Sequence, residues 1–402
     1  MSAATLKFST VLILMVLAGS VSIMSTDLFA PSLPYLTEYF GSSPDILQLT
    51  ISLNLIVYGF AQLLFGPLCD RFGRRPVFLC SLALFSLTSI GCAMAQSIEH
   101  LIMARILQGF FASAEAVICL AVFKDLFTEQ QQAKGFAIYG MAVALTPGLA
   151  PIVGGYVHVL FGWEYNFYLT ASAGLLTAAL IFFLLPETTT PDPRALGPRN
   201  VARNYYSVLS NPVFMVYACL AGVTLGMIFI FITAGPFILI DYFGVATQHY
   251  GYYQAAIVTT FFLGSTLATR LVDIWRPINV LNLGVGFVLF GAAVLVLLVF
   301  SGYLTSLNMT LAFMVITFGE GPIFAVATAK AMSAVQRSAG SAAATFGSLE
   351  IGMSGVIASL ISVFHDGSIL PFGYVIGFTA IMVLLLAVIA NRINARVRAT
   401  FL

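Results

Sequence analysis

Of the 402 residues, 60% are hydrophobic and only 8% carry a charge, for a net charge of +1. A chain this apolar cannot hide its hydrophobic surface in a water-soluble core, and basic residues spread this thinly offer no patch for nucleic acid. The five cysteines are odd in number and lie in apolar runs or at their edges, so neither a disulfide framework nor metal-ligand spacing is indicated, and no cofactor is expected.

Apolar runs of about 20 residues, enough for a helix to cross about 30 Å of hydrocarbon, recur along the chain without the alternation of an outer-membrane barrel. They predict an all-α polytopic membrane protein. Twelve spans are expected at about 7–30, 46–69, 76–95, 99–124, 134–160, 165–186, 212–241, 250–271, 278–300, 305–331, 340–365 and 370–391. The first follows Lys7, exceeds a signal-peptide core and has no small-residue cleavage site, so it is expected to be retained.

Asp27 falls some twenty residues along the first span. A charge at mid-membrane costs about 2.5–3.5 kcal/mol on insertion scales and is expected to face a cavity or a partner. After the second span comes GPLCDRFGRRP, in which Gly66 would allow two helices to approach closely. Asp70 sits there among Arg71, Arg74 and Arg75, near Gly73. The fourth span carries Arg105 a few residues in, with Gln108 one turn on as its expected hydrogen-bonding neighbour, and Glu115 at its centre. Arg105 and Asp27 belong at the same depth and are expected to meet, an arginine within reach favouring the charged carboxylate. The fifth span holds Pro147 and Pro151, which remove backbone donors, and Gly148, Gly154 and Gly155, so a bent, closely packed helix is expected.

PETTTPDPRALGPRN, from Pro186 to Asn200, reads as a linker and splits the chain six spans plus six: 1–186, a linker 187–211, and 212–402. Aligning the two halves carries Glu115 onto Glu320, whose neighbours Gly319, Gly321 and Pro322 are expected to weaken the helix, as at the interrupted spans of transporter sites. Lys330 reads as a helix-end lysine. Glu350 lies mid-way along the eleventh span. With few buried cations to neutralise them, Glu115, Glu320 and Glu350 are expected to hold protons or bind a cationic substrate. Sixteen of the seventeen basic residues fall on one side: Lys7, Arg71, Arg74, Arg75, Lys124, Lys134, Arg194, Arg199, Arg203, Arg270, Arg276, Lys330, Arg337, Arg392, Arg396 and Arg398. The positive-inside rule therefore places both termini in the cytoplasm.

GPLCDRFGRRP closely resembles the loop signature of the major facilitator superfamily. STDLFAPSLP, ARILQG, TPGLAPIVGG, TAGPFILI and YGYY resemble its twelve-span drug:proton antiporters, in particular the bicyclomycin-resistance (Bcr/CflA) group, more strongly in the first half than in the second. The fifth-span motif departs in one place, with Ala150-Pro151 where the family has Gly-Pro. The resemblance implies two six-helix bundles, alternating access, a bacterial inner-membrane location, a monomer, and proton-driven export of a small molecule. It also links Asp27 and Arg105 to proton coupling. On this reading protons entering from the periplasm neutralise Asp27 and one or more of Glu115, Glu320 and Glu350, substrate leaves outward, the halves rock, and the motif around Asp70 and Arg74 latches one end state. A dedicated exporter of a metabolite or siderophore would use the same machinery, and a non-transporting receptor or scaffold is a remote alternative. An enzyme is not expected: GMSG at 352–355 matches a rhomboid-type Gly-x-Ser-Gly, but no histidine falls mid-span to serve as base, and no phosphate-binding loop is present.

Overall fold

A computed structural model describes residues 7–193, 195, 197–335 and 339–400. Arg194 and Arg337 lie outside the described residues, as do the side chains of Arg199 and Arg398. The described chain is helical throughout. α1 (Phe8–Asp27), a 3₁₀ turn (Ala30–Ser32) and α2 (Leu33–Phe40) together make the first crossing, and α3 (Pro44–Phe72), α4 (Arg74–Ala93), α5 (Ile98–Leu126), α6 (Glu129–Phe161) and α7 (Glu164–Leu184) complete the first half. α8 (Pro198–Leu209) leads to α9 (Pro212–Pro236), α10 (Tyr250–Leu271), α11 (Pro277–Ser301), α12 (Ser306–Ala334), α13 (Ala339–Val363) and α14 (Leu370–Thr400).

Eleven of the described crossings are long and apolar enough to span a bilayer by composition alone. The remaining expected span, the eighth at 250–271, coincides with α10, whose Tyr, Gln and Thr residues dilute its apolar character. Burial explains this: Tyr250, Gly251 and Gln254 face protein rather than lipid. Because the crossings alternate in direction, Arg71, Arg74, Arg75, Lys124, Arg270, Arg276 and Lys330 share one end of the bundle with the start of α1 and the end of α14. This is called the basic end below.

Local chemistry sets the breaks. Pro31 has no N–H to offer the Asp27 carbonyl, and the first crossing changes from α to 3₁₀ just after Asp27. Pro236 is followed by a π-helical turn, Phe237–Tyr242, which ends the seventh crossing. Two expectations differ from the structure. The stretch read as linker contains α8, an amphipathic helix entered through Pro198, so nearly half of the 187–211 linker is helical. And α12 runs unbroken past Glu320: Gly319 packs against α11 at Gly284, and Gly321 against α10 at Ser265, so these glycines give close helix contact rather than an interruption.

α3 packs on α13 and α6 on α10, and these two pairs join the halves. α4, α7, α11 and α14 stand outside them; among the described residues α7, α11 and α14 contribute nothing to the central cavity, and α4 contributes only Arg74 at its start.

Candidate substrate cavity and its gates

A cavity of about 1380 Å³ lies between the halves, walled by α1, α3, α5 and α6 on one side and α9, α10, α12 and α13 on the other. Its walls run from Asp27 and Asn54 at depth to Asp70, Arg74, Lys124 and Tyr205 at the basic end, and no residue of the opposite end lines it. The volume exceeds the roughly 300–1,000 Å³ of usual small-molecule pockets. Tyr58, Tyr139, Phe229 and Phe261 line it, whereas Phe231 is buried and stacked on Tyr250.

The predicted acids separate into two groups. Asp27 and Glu350 face the cavity from opposite halves. Glu115 and Glu320 do not: both are buried to 1% exposure or less, and all four of their carboxyl oxygens lack hydrogen-bond partners among the described residues. The expectation that Glu115 and Glu320 bind a substrate directly is therefore corrected, since neither reaches the cavity wall. Ala116 and Val117 form the wall, and Glu115 sits behind it beside Tyr58, Cys119 and Tyr139. Glu320 is enclosed by the close packing of α12 that its flanking glycines permit.

Asp27 and Arg105 do not form the expected ion pair. Arg105 is fully buried, and its guanidinium donates to the carbonyls of Ser25 at 2.8 Å and Thr50 at 3.3 Å and to Gln108 Oε1 at 2.5 Å. The rings of Phe29 and Phe167 lie 5.3 and 5.9 Å from its centre. Gln108, whose Nε2 donates to Ser89 Oγ at 2.7 Å, belongs to this nest and not to the cavity wall. The arginine thus ties three helices together through backbone oxygens. The partner of Asp27 is Gln254 of α10, whose Nε2 donates to Oδ1 at 2.7 Å. Sequence reasoning missed Gln254, although a lone amide among the apolar residues of α10 was a signal.

At the sealed end, the α6 motif serves close packing. Gly154 lies against the Leu28 carbonyl, and a Cβ on Gly155 would come within 2.8 Å of the Thr247 carbonyl. Tyr156 and Tyr252 hydroxyls meet at 3.1 Å. At the basic end Asp70 pairs with Arg74 at 2.8 Å, and Arg74 reaches Asp125 at 3.3 Å. Gly73 adopts φ +97°, which glycine tolerates. The following helix N-terminus is capped by Glu187, which accepts from the backbone of Arg74 at 2.9 Å and Arg75 at 3.2 Å. Arg75 donates to the Phe182 carbonyl at 2.7 Å, and Arg71 donates to that of Pro193. Gly66 is not a close-contact glycine; the nearest atom a Cβ would meet is Tyr205 Oη at 3.9 Å. Ser354 donates to the carbonyls of Glu350 at 2.6 Å and Gly222 at 3.1 Å, a bonded helix hydroxyl rather than a nucleophile.

Comparison with known proteins agrees with this architecture. The family model described as Major Facilitator Superfamily matches residues 15–359. The chain is similar to a bicyclomycin resistance protein homolog of Haemophilus influenzae, 29% identical over 87% of this chain and 88% of that one. It is also similar to the multidrug resistance protein MdtL of Salmonella paratyphi B, 25% identical over 91% and 92% of the two chains. Among solved structures, a D-xylose-proton symporter superposes with a TM-score of 0.75 at 15% identity, covering 94% of this chain and 97% of that one, a likeness of fold alone. A family model spanning most of the chain, with two six-helix bundles around a central cavity, makes this protein a member of the major facilitator superfamily.

Proposed function

We propose that this protein exports small molecules across a bacterial inner membrane in exchange for protons, working as a monomer with both termini in the cytoplasm. The observation that carries the reading is the cavity itself: about 1380 Å³, largely apolar, with Asp27 and Glu350 in its walls, reaching the basic end and sealed by contacts between the halves at the other. A mostly apolar chamber with two acids suits lipophilic drugs, cationic ones included, and suits protons as their competitors. The relatives named for bicyclomycin and multidrug resistance support the direction of transport. Proton entry supplies about 2.3 kcal/mol per charge per 100 mV, enough to drive export without ATP.

In the proposed cycle a substrate enters from the cytoplasm and displaces protons from Asp27 and Glu350. The halves rock, and protons from the periplasm then release the substrate. Glu115, behind the wall, is a further candidate to store a proton, while Arg105 and Gln108 hold the backbone of α1 and α3 around Asp27. The test is expression in a strain lacking its own efflux pumps, challenged with lipophilic cations and neutral antibiotics. Raised resistance with lowered intracellular drug supports the reading. Unchanged resistance and unchanged accumulation across the panel contradict it.

A further inference from the structure

A proline inside a helix leaves the carbonyl four residues earlier without its helical donor. Two such carbonyls in the first half are satisfied from outside their own helix. Pro67 frees the Leu63 carbonyl of α3, which accepts from Tyr205 Oη of α8 at 2.8 Å. Pro151 frees the Pro147 carbonyl of α6, which accepts from Gln254 Nε2 of α10 at 3.1 Å. The same Nε2 donates to Asp27 Oδ1 at 2.7 Å. Both amide hydrogens of one fully buried glutamine are therefore committed to the other half of the molecule, one to a fixed backbone acceptor and one to an ionisable acid in the cavity wall.

Gln254 sits just inside the seal. One turn earlier on α10, a Cβ on Gly251 would come within 2.6 Å of the Pro151 carbonyl carbon, and beyond it lie the Gly155–Thr247 contact and the Tyr156–Tyr252 pair. The other titratable groups that reach Asp27 are Arg105 from α5, held by carbonyls and Gln108, and Tyr250 from α10. Neither bonds Asp27 among the described residues, so Gln254 is the hydrogen-bonded link between this acid and the second half.

We propose that Gln254 is a latch residue that converts proton or substrate occupancy of Asp27 into loosening of the seal between α6 and α10. A hydrogen bond to a carboxylate is roughly twice as strong as one to a neutral acid. With Asp27 ionised and the cavity empty, the link holds the far end shut, which keeps an empty, unprotonated carrier from switching and wasting the gradient. A proton on Asp27, or a substrate cation that takes over the carboxylate, weakens the link and lets the halves part. Gln254 acts through Asp27 and the Pro147 carbonyl, and is a positioning residue rather than a substrate ligand. The proposal rests on the exporter reading, but its test needs no substrate.

The test is hydrogen exchange, corrected for intrinsic rates, at 152–161 and 246–253 of the protein in nanodiscs. Wild type is expected to exchange faster at pH 5.5 than at pH 8. At pH 8, Asp27→Asn and Gln254→Met should each accelerate exchange by about tenfold, and the double variant no further, because both cut one link. Gln254→Glu should invert the pH profile, open at pH 8 where two carboxylates repel and closed at pH 5.5 where they share a proton. Additive effects of the two single changes, or a wild-type pH profile in Gln254→Glu, overturn the latch. Should Gln254→Met fail to fold, Gln254→Glu against Asp27→Asn decides the matter alone. Drug export with additive exchange effects sinks the latch and leaves the exporter standing; the reverse pattern does the opposite.

Discussion

Asp27, Glu350, Glu115 and Glu320 are all buried or nearly so, yet their surroundings give them different work. Asp27 accepts a hydrogen bond and faces the cavity, and Glu350 faces it from the other half. Glu320 has neither a hydrogen-bond partner among the described residues nor a place in the cavity wall, and an unsatisfied buried polar group costs about 1–3 kcal/mol. Glu320→Met should therefore raise the thermal unfolding temperature in detergent and leave drug export intact; lost export would show that the residue works in transport. Glu350→Gln should weaken binding of cationic drugs about ten- to a hundredfold in a fluorescence titration while sparing neutral ones, since a bond to a charged group is worth about 1.5–3 kcal/mol. Equal affinity for both classes would remove Glu350 from the substrate site. That these four positions hold acids at membrane depth was legible from the sequence. Which way each side chain points was not, because the spans carry almost no amphipathic periodicity: polar and apolar residues face protein alike once both faces of a helix are covered.

Prolines shape the elements more than glycines do. Pro31 ends α1 beside Asp27, and Pro67 and Pro151 open carbonyls that side chains from other helices fill. Tyr205→Phe should destabilise the fold by about 1–3 kcal/mol, and Pro67→Ala, which restores a donor for Leu63, should recover most of that loss. Thermal unfolding of the two single variants and the double checks this, and simple additivity would count against it. Burial and the nearby Asp70 push the Tyr205 phenol from 10.0 up to about 12. A raised value means the folded state holds the proton more tightly, so this contribution is complete below pH 10 and disappears as pH rises toward about 12. The positions of the spans followed from apolar length and proline placement. The helix α8 did not, since its prolines and arginines read as linker when the tyrosine that docks it on α3 has no visible partner in the sequence.

For the whole molecule, two bundles, a central cavity and one basic end follow from span count and charge distribution. The state of the gates does not, because it depends on a small difference between two sets of contacts: the α6–α10 and α3–α13 seals at one end, and the Asp70–Arg74–Asp125 cluster with Glu187 at the other. A sequence encodes both sets and cannot show which is made. The likeness to antiporters in TPGLAPIVGG marks residues that pack the sealed end, and Gln254 beside them joins that seal to Asp27. The measurement that tests the central claim most directly is substrate-triggered proton flux in proteoliposomes with an internal pH dye, comparing wild type with Asp27→Asn. The account predicts proton movement when a transported drug is added to wild type, and none above the empty-liposome rate in Asp27→Asn. Undiminished drug-coupled proton flux in that variant would contradict it.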